Sequence, residues 1–161
     1  MIIRQANESD WADIYPFFRL IVSEGTTYAF PKELSLEDAR PWWMERPLGT
    51  TAVAVEDSSI VGSAKMGPNR PGRGSNVATA SFMVDPIHQG NGVGLALSNY
   101  DIDWARAAGY RSIQFNAVVA TNAAAVRLWK RLIFSIITTV PNSFDHPEHG
   151  LVGLHLMYLE L

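Results

Sequence analysis

The spacing of apolar residues divides the chain into short segments of two kinds. Ile14, Phe17, Phe18 and Ile21 recur three and four residues apart, which lines one face of a helix; with Ser9 and Asp10 as caps, a helix is predicted over residues 11–23. Residues 2–4 ahead of it predict a short strand. Residues 25–31 carry no period and read as irregular, and Ser35 caps a second helix running to Trp43. Residues 51–55 and 60–66 are β-rich runs joined across Asp57, Ser58 and Ser59 as a hairpin. The Gly/Pro-rich stretch 67–74 is too short to link domains and reads as a loop.

The second half alternates. Residues 78–84 predict a strand, 95–108 a helix closed by Gly109, 112–119 a strand and 122–132 a helix. Residues 134–140 and 151–161 predict two further strands around a polar loop. The order β-α-α-β-β-β-α-β-α-β-β implies an α/β fold with a mixed sheet. Pairing is expected to be parallel where strands alternate with helices and antiparallel in the hairpins, with about four helices shared between the two faces.

Composition narrows the class. A chain of 161 residues, 47% hydrophobic and 18% charged, has the make-up of one globular domain, 1–161, that buries a core without disulfides. It contains no cysteine, which excludes zinc–thiolate sites and a cysteine nucleophile. A formal net charge of -3 and the lack of any Lys/Arg cluster argue against nucleic acid as a partner. No run approaches the ~20 apolar residues of a membrane span, and the N-terminus has no signal-peptide run, so a cytoplasmic protein with no membrane partner is expected. No metal is expected.

The segment richest in chemistry is 82–94, Phe82-Met83-Val84-Asp85-Pro86-Ile87-His88-Gln89-Gly90-Asn91-Gly92-Val93-Gly94, which leaves a strand and enters a helix through three alternating glycines. Glycine tolerates positive φ and has no Cβ, so successive backbone N–H groups can converge on a phosphate at the positive end of the helix. A pyrophosphate suits such a turn. The same glycines can instead serve only to pack the helix closely on the strand. A P-loop needs Gly-Lys-Ser/Thr and a dinucleotide fold needs G-x-G-x-x-G, and neither is present.

Gln89, Gly92 and Gly94 fit the pattern Gln/Arg-x-x-Gly-x-Gly/Ala. Asn122, Ala125, Leu128 and Phe134 fit Asn-x-x-Ala-x-x-Leu-Tyr-x-x-x-Gly-Phe, with Trp129 in place of Tyr and Ile133 in place of Gly. In these two motifs and the strands between them, residues 78–134, the chain resembles the GCN5-related N-acetyltransferase (GNAT) family. The resemblance implies a GNAT-like fold, acetyl-CoA as co-substrate, and direct attack of an amine on the thioester in a ternary complex. It also implies that the backbone of Phe82, Met83 and Val84 pairs with the pantetheine arm, and that Gln89, Gly90, Asn91, Gly92, Val93 and Gly94 wrap the pyrophosphate. Asn122, Ala125 and Trp129 would contact the cofactor from the next helix. Read by themselves, Asn122 is equally a helix N-cap, and Ala125, Leu128 and Trp129 form a stripe of core spacing.

The acceptor side is less explicit. Many relatives place a carboxylate on the cofactor strand at the position of Thr79 and a Tyr at that of Trp129. Residues 78–81 hold no ionisable group and an indole N–H is not an acid, so proton handling falls to water or another hydroxyl. Asn116 and Thr79 are the residues expected to face the reacting amine. Glu24 and Tyr28 are further substrate-side candidates, with His146 and His149 in the late loop behind them; all four read equally as surface or core-edge residues. Asn116 interrupts an apolar strand, where a buried amide must find a partner. Residues 71–73, 82–84 and 115–122 are also similar to fungal acetyltransferases acting on azetidine-2-carboxylate and related proline analogues, which implies a small amino acid as acceptor. A small-molecule amine is thus the expected partner and a homodimer the expected assembly. A catalytically silent acyl-CoA-binding module and a protein or peptide acetyltransferase stand as alternatives. Ile133, β-branched at a helix end where the family has Gly, is expected either to keep a right-handed backbone or to hold strain.

Overall fold

The computed structural model describes residues 1–44 and 48–161. Among these, seven strands form one sheet: β1 (Ile2–Gln5), β2 (Thr50–Glu56), β3 (Ser59–Pro68), β4 (Val77–Val84), β5 (Ser112–Val119), β6 (Ser135–His146) and β7 (Gly150–Glu160), in the order β1-β2-β3-β4-β5-β7-β6. Four α-helices cover it: α1 (Trp11–Glu24), α2 (Leu36–Trp43), α3 (Val93–Ala107) and α4 (Ala123–Arg131). The expected mixed sheet is present, but among the described residues only β4 and β5 pair in parallel. β7 slots between β5 and β6, antiparallel to both, so the strands that flank α4 in the chain are separated in space.

Strand alternation sorts the core onto two faces. Val53 and Met83 pack beneath α1 and α2 with Phe17, Phe18 and Trp43. Ala52, Ala54, Ala64 and Met66 lie on the opposite face under Val93 and Leu97 of α3. Trp129 of α4 joins Ile113, Phe115 and Met157 on that second face. Glycine at position 62 sets how closely α3 approaches: a Cβ there would stand 2.8 Å from Val93 Cγ1 and 3.1 Å from the Met83 carbonyl oxygen. The first turn of α3 therefore rests directly on β3, beside the end of β4.

Several boundaries differ from expectation. The β2–β3 turn is Asp57 and Ser58 alone, both at positive φ (47° and 67°) as a type I′ hairpin requires, while Ser59 pairs with Glu56 inside β3. α3 begins at Val93, two residues early. β6 runs on to His146 through a register shift between Val140 and Phe144, with Asn142 at φ 51°, so the predicted polar loop is reduced to three residues. Backbone pairing with β7 extends β6; its residues are mostly exposed, and no apolar alternation marks them.

Two helices end in the same hydrogen-bond pattern. After α3, Gly109 at φ 82° donates to the Arg106 carbonyl and Tyr110 to that of Ala105. After α4, Ile133 at φ 70° donates to Lys130 and Phe134 to Trp129. Both are Schellman closures, in which the left-handed position favours glycine. Ile133 thus holds the strained alternative, with its side chain 82% exposed and little burial in return. We expect Ile133→Gly to stabilise the fold by about 0.5–2 kcal/mol in urea denaturation. A less stable Gly variant would show that no strain is stored there.

Asp101 is the other local cost. It lies on the sheet-facing side of α3 between Leu97 and Ala105, is 1% exposed, and its Oδ1 has no hydrogen-bond partner among the described residues. Burial pushes its carboxyl up to about 8. The folded protein keeps this proton to about pH 8, whereas an unfolded chain releases it near 4, so the stability it permits is full below about pH 4 and is lost as the pH rises toward 8. In thermal melts, Asp101→Asn should lose less stability than the parent between pH 5 and 8. Identical pH profiles for the two proteins would contradict this assignment.

Candidate active site

The site is built around a ladder that stops short. β4 and β5 pair at Val77–Ser112 and Ala78–Ile113 and no further, although β4 continues to Val84 and β5 to Val119. The Asp85 N–H bonds the Val61 carbonyl of β3, and the Val77 carbonyl accepts from Asn69, so odd-numbered positions of this strand turn their backbone groups toward β3. By alternation Ala80, Phe82 and Val84 present N–H and C=O to the wedge between β4 and β5. At Phe82 both groups meet one side chain: the Tyr28 hydroxyl donates to the carbonyl (2.6 Å) and accepts from the N–H (3.1 Å). Burial raises the Tyr28 phenol well above its ordinary range, which keeps it neutral.

A glycine turn with open backbone amides lies at one end of this edge. Asp85 caps a short 3-10 turn, Pro86–His88, by accepting from the Ile87 N–H. Gly90 and Gly92 then take φ of 84° and 82°, and α3 begins with no side-chain cap at Gly92. The Ala96 N–H is bonded to the Gly92 carbonyl, so the amides of Val93, Gly94 and Leu95 precede the regular ladder and point out of the helix end. A Cβ on Gly90 or Gly92 would meet nothing within 4 Å; backbone conformation, not crowding, requires glycine there.

At the other end of the edge, on the face covered by α1 and α2, lies a cavity of about 370 Å³. Lys65, Gly67, Thr79, Ser81 and Asn116 line it, with Leu48 at its margin. A register shift in β5 between Phe115 and Val118 forms a bulge at Asn116, which is exposed rather than buried as expected. Its amide nitrogen donates to Asn69 Oδ1 (2.6 Å) and its oxygen accepts from Gln114 Nε2 (2.8 Å). The Lys65 ammonium donates to the Trp42 carbonyl (2.9 Å) and stands 5.8 Å from the centre of the Phe30 ring.

The profile of the Acetyltransferase (GNAT) family matches residues 11–134. The chain belongs to this family. N-acetyltransferase aca1 of Schizosaccharomyces pombe is 40% identical to this GNAT protein over 78 residues, 48% of this chain but only 37% of that one. L-methionine sulfoximine/L-methionine sulfone acetyltransferase of Salmonella typhimurium is 28% identical over 144 residues, 88% of this chain and 84% of its own. Among solved structures, a GCN5-related N-acetyltransferase from Kribbella flavida superposes with a TM-score of 0.96 at 54% identity, covering 99% of this chain and 97% of that one. The structure of yncA from Salmonella typhimurium with its cofactor acetyl-CoA gives 0.87 at 27% identity, covering 100% and 94%. Among the described residues no helix is long and apolar enough to cross a membrane.

Within this GNAT fold the motif residues take distinct places. Thr79 and Asn116 share the cavity, and Phe82, Met83 and Val84 form the β4 edge that leads into the glycine turn at Gln89, Gly90 and Asn91. Asn122 caps α4 through its side-chain oxygen on the Ala125 N–H (3.1 Å). Trp129 is 7% exposed, its ring centre 4.7 Å from that of Phe115 and 5.0 Å from that of Phe82, so it fills the core beneath the wedge. Glu24, exposed at the end of α1, is not among the cavity's walls. His146 is a buried strand residue stacked on His149 at 4.6 Å, which corrects the view of it as a solvated loop group, and neither histidine lines the cavity.

Sequence reasoning passed over Lys65 and Ser81. Lys65 is the lone charge in the run 60–66, and its pairing with Ser81 puts both on the face of Thr79. That lone charge was the available signal. We expect acetyl-CoA to raise the melting temperature, Gly92→Asn to keep part of the shift, and Gly92→Asp to abolish it. Asn and Asp tolerate positive φ alike, and only Asp places negative charge at the helix end. An undiminished shift in the Asp variant would remove the phosphate assignment.

Proposed function

We propose that this GNAT protein, acting as one domain over residues 1–161, moves the acetyl group of acetyl-CoA to the primary or secondary amine of a small amino acid or analogue. The observation that carries this reading is the continuous path along β4. Uncapped helix amides lie at its C-terminal end, backbone groups at Val84 and Phe82 that β5 does not pair follow, and a small polar cavity opens beside Thr79. Its volume falls at the low end of the range for small-ligand pockets. The similarity to an acetyltransferase of L-methionine sulfoximine and sulfone, over most of both chains, supports an amino-acid-like acceptor.

Acetyl-CoA supplies the activated acyl group. The amides of Val93, Gly94 and Leu95 hold its pyrophosphate, and the β4 edge holds the pantetheine as an added strand. The Phe82 N–H, once released by the Tyr28 hydroxyl, would stabilise the charge that develops on the thioester oxygen as the amine attacks. Thr79, Ser81 and Asn116 orient the amine on the α1/α2 face. The described residues lining the cavity include no carboxylate and no imidazole, so the amine's proton passes to water as the C–N bond forms; the C–S bond then breaks, and CoA leaves as a thiolate that water protonates.

Release of CoA thiol over a panel of amino acids, their analogues and polyamines tests the reading, and turnover should favour amino acids. Asn116→Ala should raise the amine's KM several-fold or lower kcat, with acetyl-CoA affinity within about twofold. Acetyl-CoA binding with no turnover on any amine would overturn the catalytic reading, and equal loss of both substrates in the variant would make Asn116 a structural residue.

A further inference from the structure

The wedge holds a side chain that the mechanism above does not use. Tyr28 leaves the α1–α2 connection, its ring stacked on Phe30 with centres 5.1 Å apart and edge-on to Trp43 at 6.0 Å, and its hydroxyl makes both hydrogen bonds available at the Phe82 backbone. Phe82 sits between the helix amides that follow Gly92 and the cavity at Thr79 and Ser81. A ligand laid along the edge from the phosphate end reaches Val84 first, then Phe82. On the cofactor reading given above, the group that arrives at Phe82 is the thioester carbonyl, and the N–H it needs is already taken.

We propose that Tyr28 sets the discrimination between acyl-CoA and free CoA, its hydroxyl filling the backbone seat at Phe82 that the thioester carbonyl must take. Acyl binding exchanges one neutral acceptor oxygen for another at the same N–H, and the phenol withdraws. Free CoA ends in a thiol and brings no carbonyl, so it leaves Tyr28 in place. Tyr28 thereby weakens the hold on the acyl donor relative to the spent product, without touching the nucleotide end. Removing the hydroxyl leaves the Phe82 N–H and C=O without this partner before binding, and the acyl group gains what the phenol no longer competes for.

The test is calorimetric titration of the full chain and its Tyr28→Phe variant with acetyl-CoA, CoA and 3′,5′-ADP. We expect the Kd for acetyl-CoA to fall about two- to tenfold in the variant, the worth of one ordinary hydrogen bond, with CoA and 3′,5′-ADP within about twofold of the parent. Unchanged or weaker acetyl-CoA binding in a variant that still binds CoA normally would overturn the proposal. A second measurement needs no variant. In the parent without ligand, amide hydrogen exchange at Phe82 should be slower than at Ala80 and Val84 on the same edge, and equal exchange at all three would also overturn it. If neither protein binds any of the three ligands, the cofactor reading itself fails and this proposal falls with it.

Discussion

A parallel pair of strands that stops pairing after two residues is the constraint on which the rest of the structure depends. Backbone N–H and C=O groups are strong hydrogen-bonding groups, and burying them without partners costs free energy comparable to the bonds they lose. β4 and β5 part after Ala78 and Ile113, so the edge at Ala80, Phe82 and Val84 must be met by something other than its neighbouring strand. Tyr28 meets it at Phe82. The bare Cα of Gly62 seats α3 so that its open amides continue the same line. An edge of this kind is a template for an extended ligand, and the neighbouring elements determine which ligand fits.

One strand thus serves three purposes through its alternation. Ala78, Ala80 and Phe82 send side chains into the core under α3 and α4, Thr79 and Ser81 face the cavity, and the even-numbered backbone groups face the wedge. The same logic accounts for Trp129. Its ring packs with Phe82, Phe115 and Phe134 beneath the wedge, where bulk and shape matter and a titratable hydroxyl is not required. The cavity beside Thr79 has a described lining that is neutral apart from Lys65.

Two positions run against local preference. Ile133 adopts the backbone that Gly109 adopts in an equivalent closure, and Asp101 buries a carboxyl whose Oδ1 has no partner among the described residues. The backbone strain at Ile133 is on the order of 1–3 kcal/mol, and the cost of the buried Asp101 carboxyl grows as the pH rises toward 8; the cores on both faces of the sheet outweigh the two. Neither touches the wedge, so their effects belong to stability rather than to the chemistry of the site.

Much of the fold was legible in the letters because it depends on local rules. The 3.6-residue stripe of Ile14, Phe17, Phe18 and Ile21, the caps at Ser35 and Asn122, and the glycines needing positive φ at 90, 92 and 109 depend only on near neighbours in sequence. The same local signals gave the order of the elements, and the two motifs added the family resemblance. What the sequence could not determine is what pairs with what across long separations: β7 inserted between β5 and β6, β6 extended by backbone bonds with no apolar period, the bulge that exposes Asn116, and the hydroxyl of Tyr28 on the backbone of Phe82, 54 residues away. Main-chain groups are nearly the same in every residue, so hydrogen bonds between them leave little trace in side-chain identity, and only the tertiary structure decides where the ladder between β4 and β5 ends.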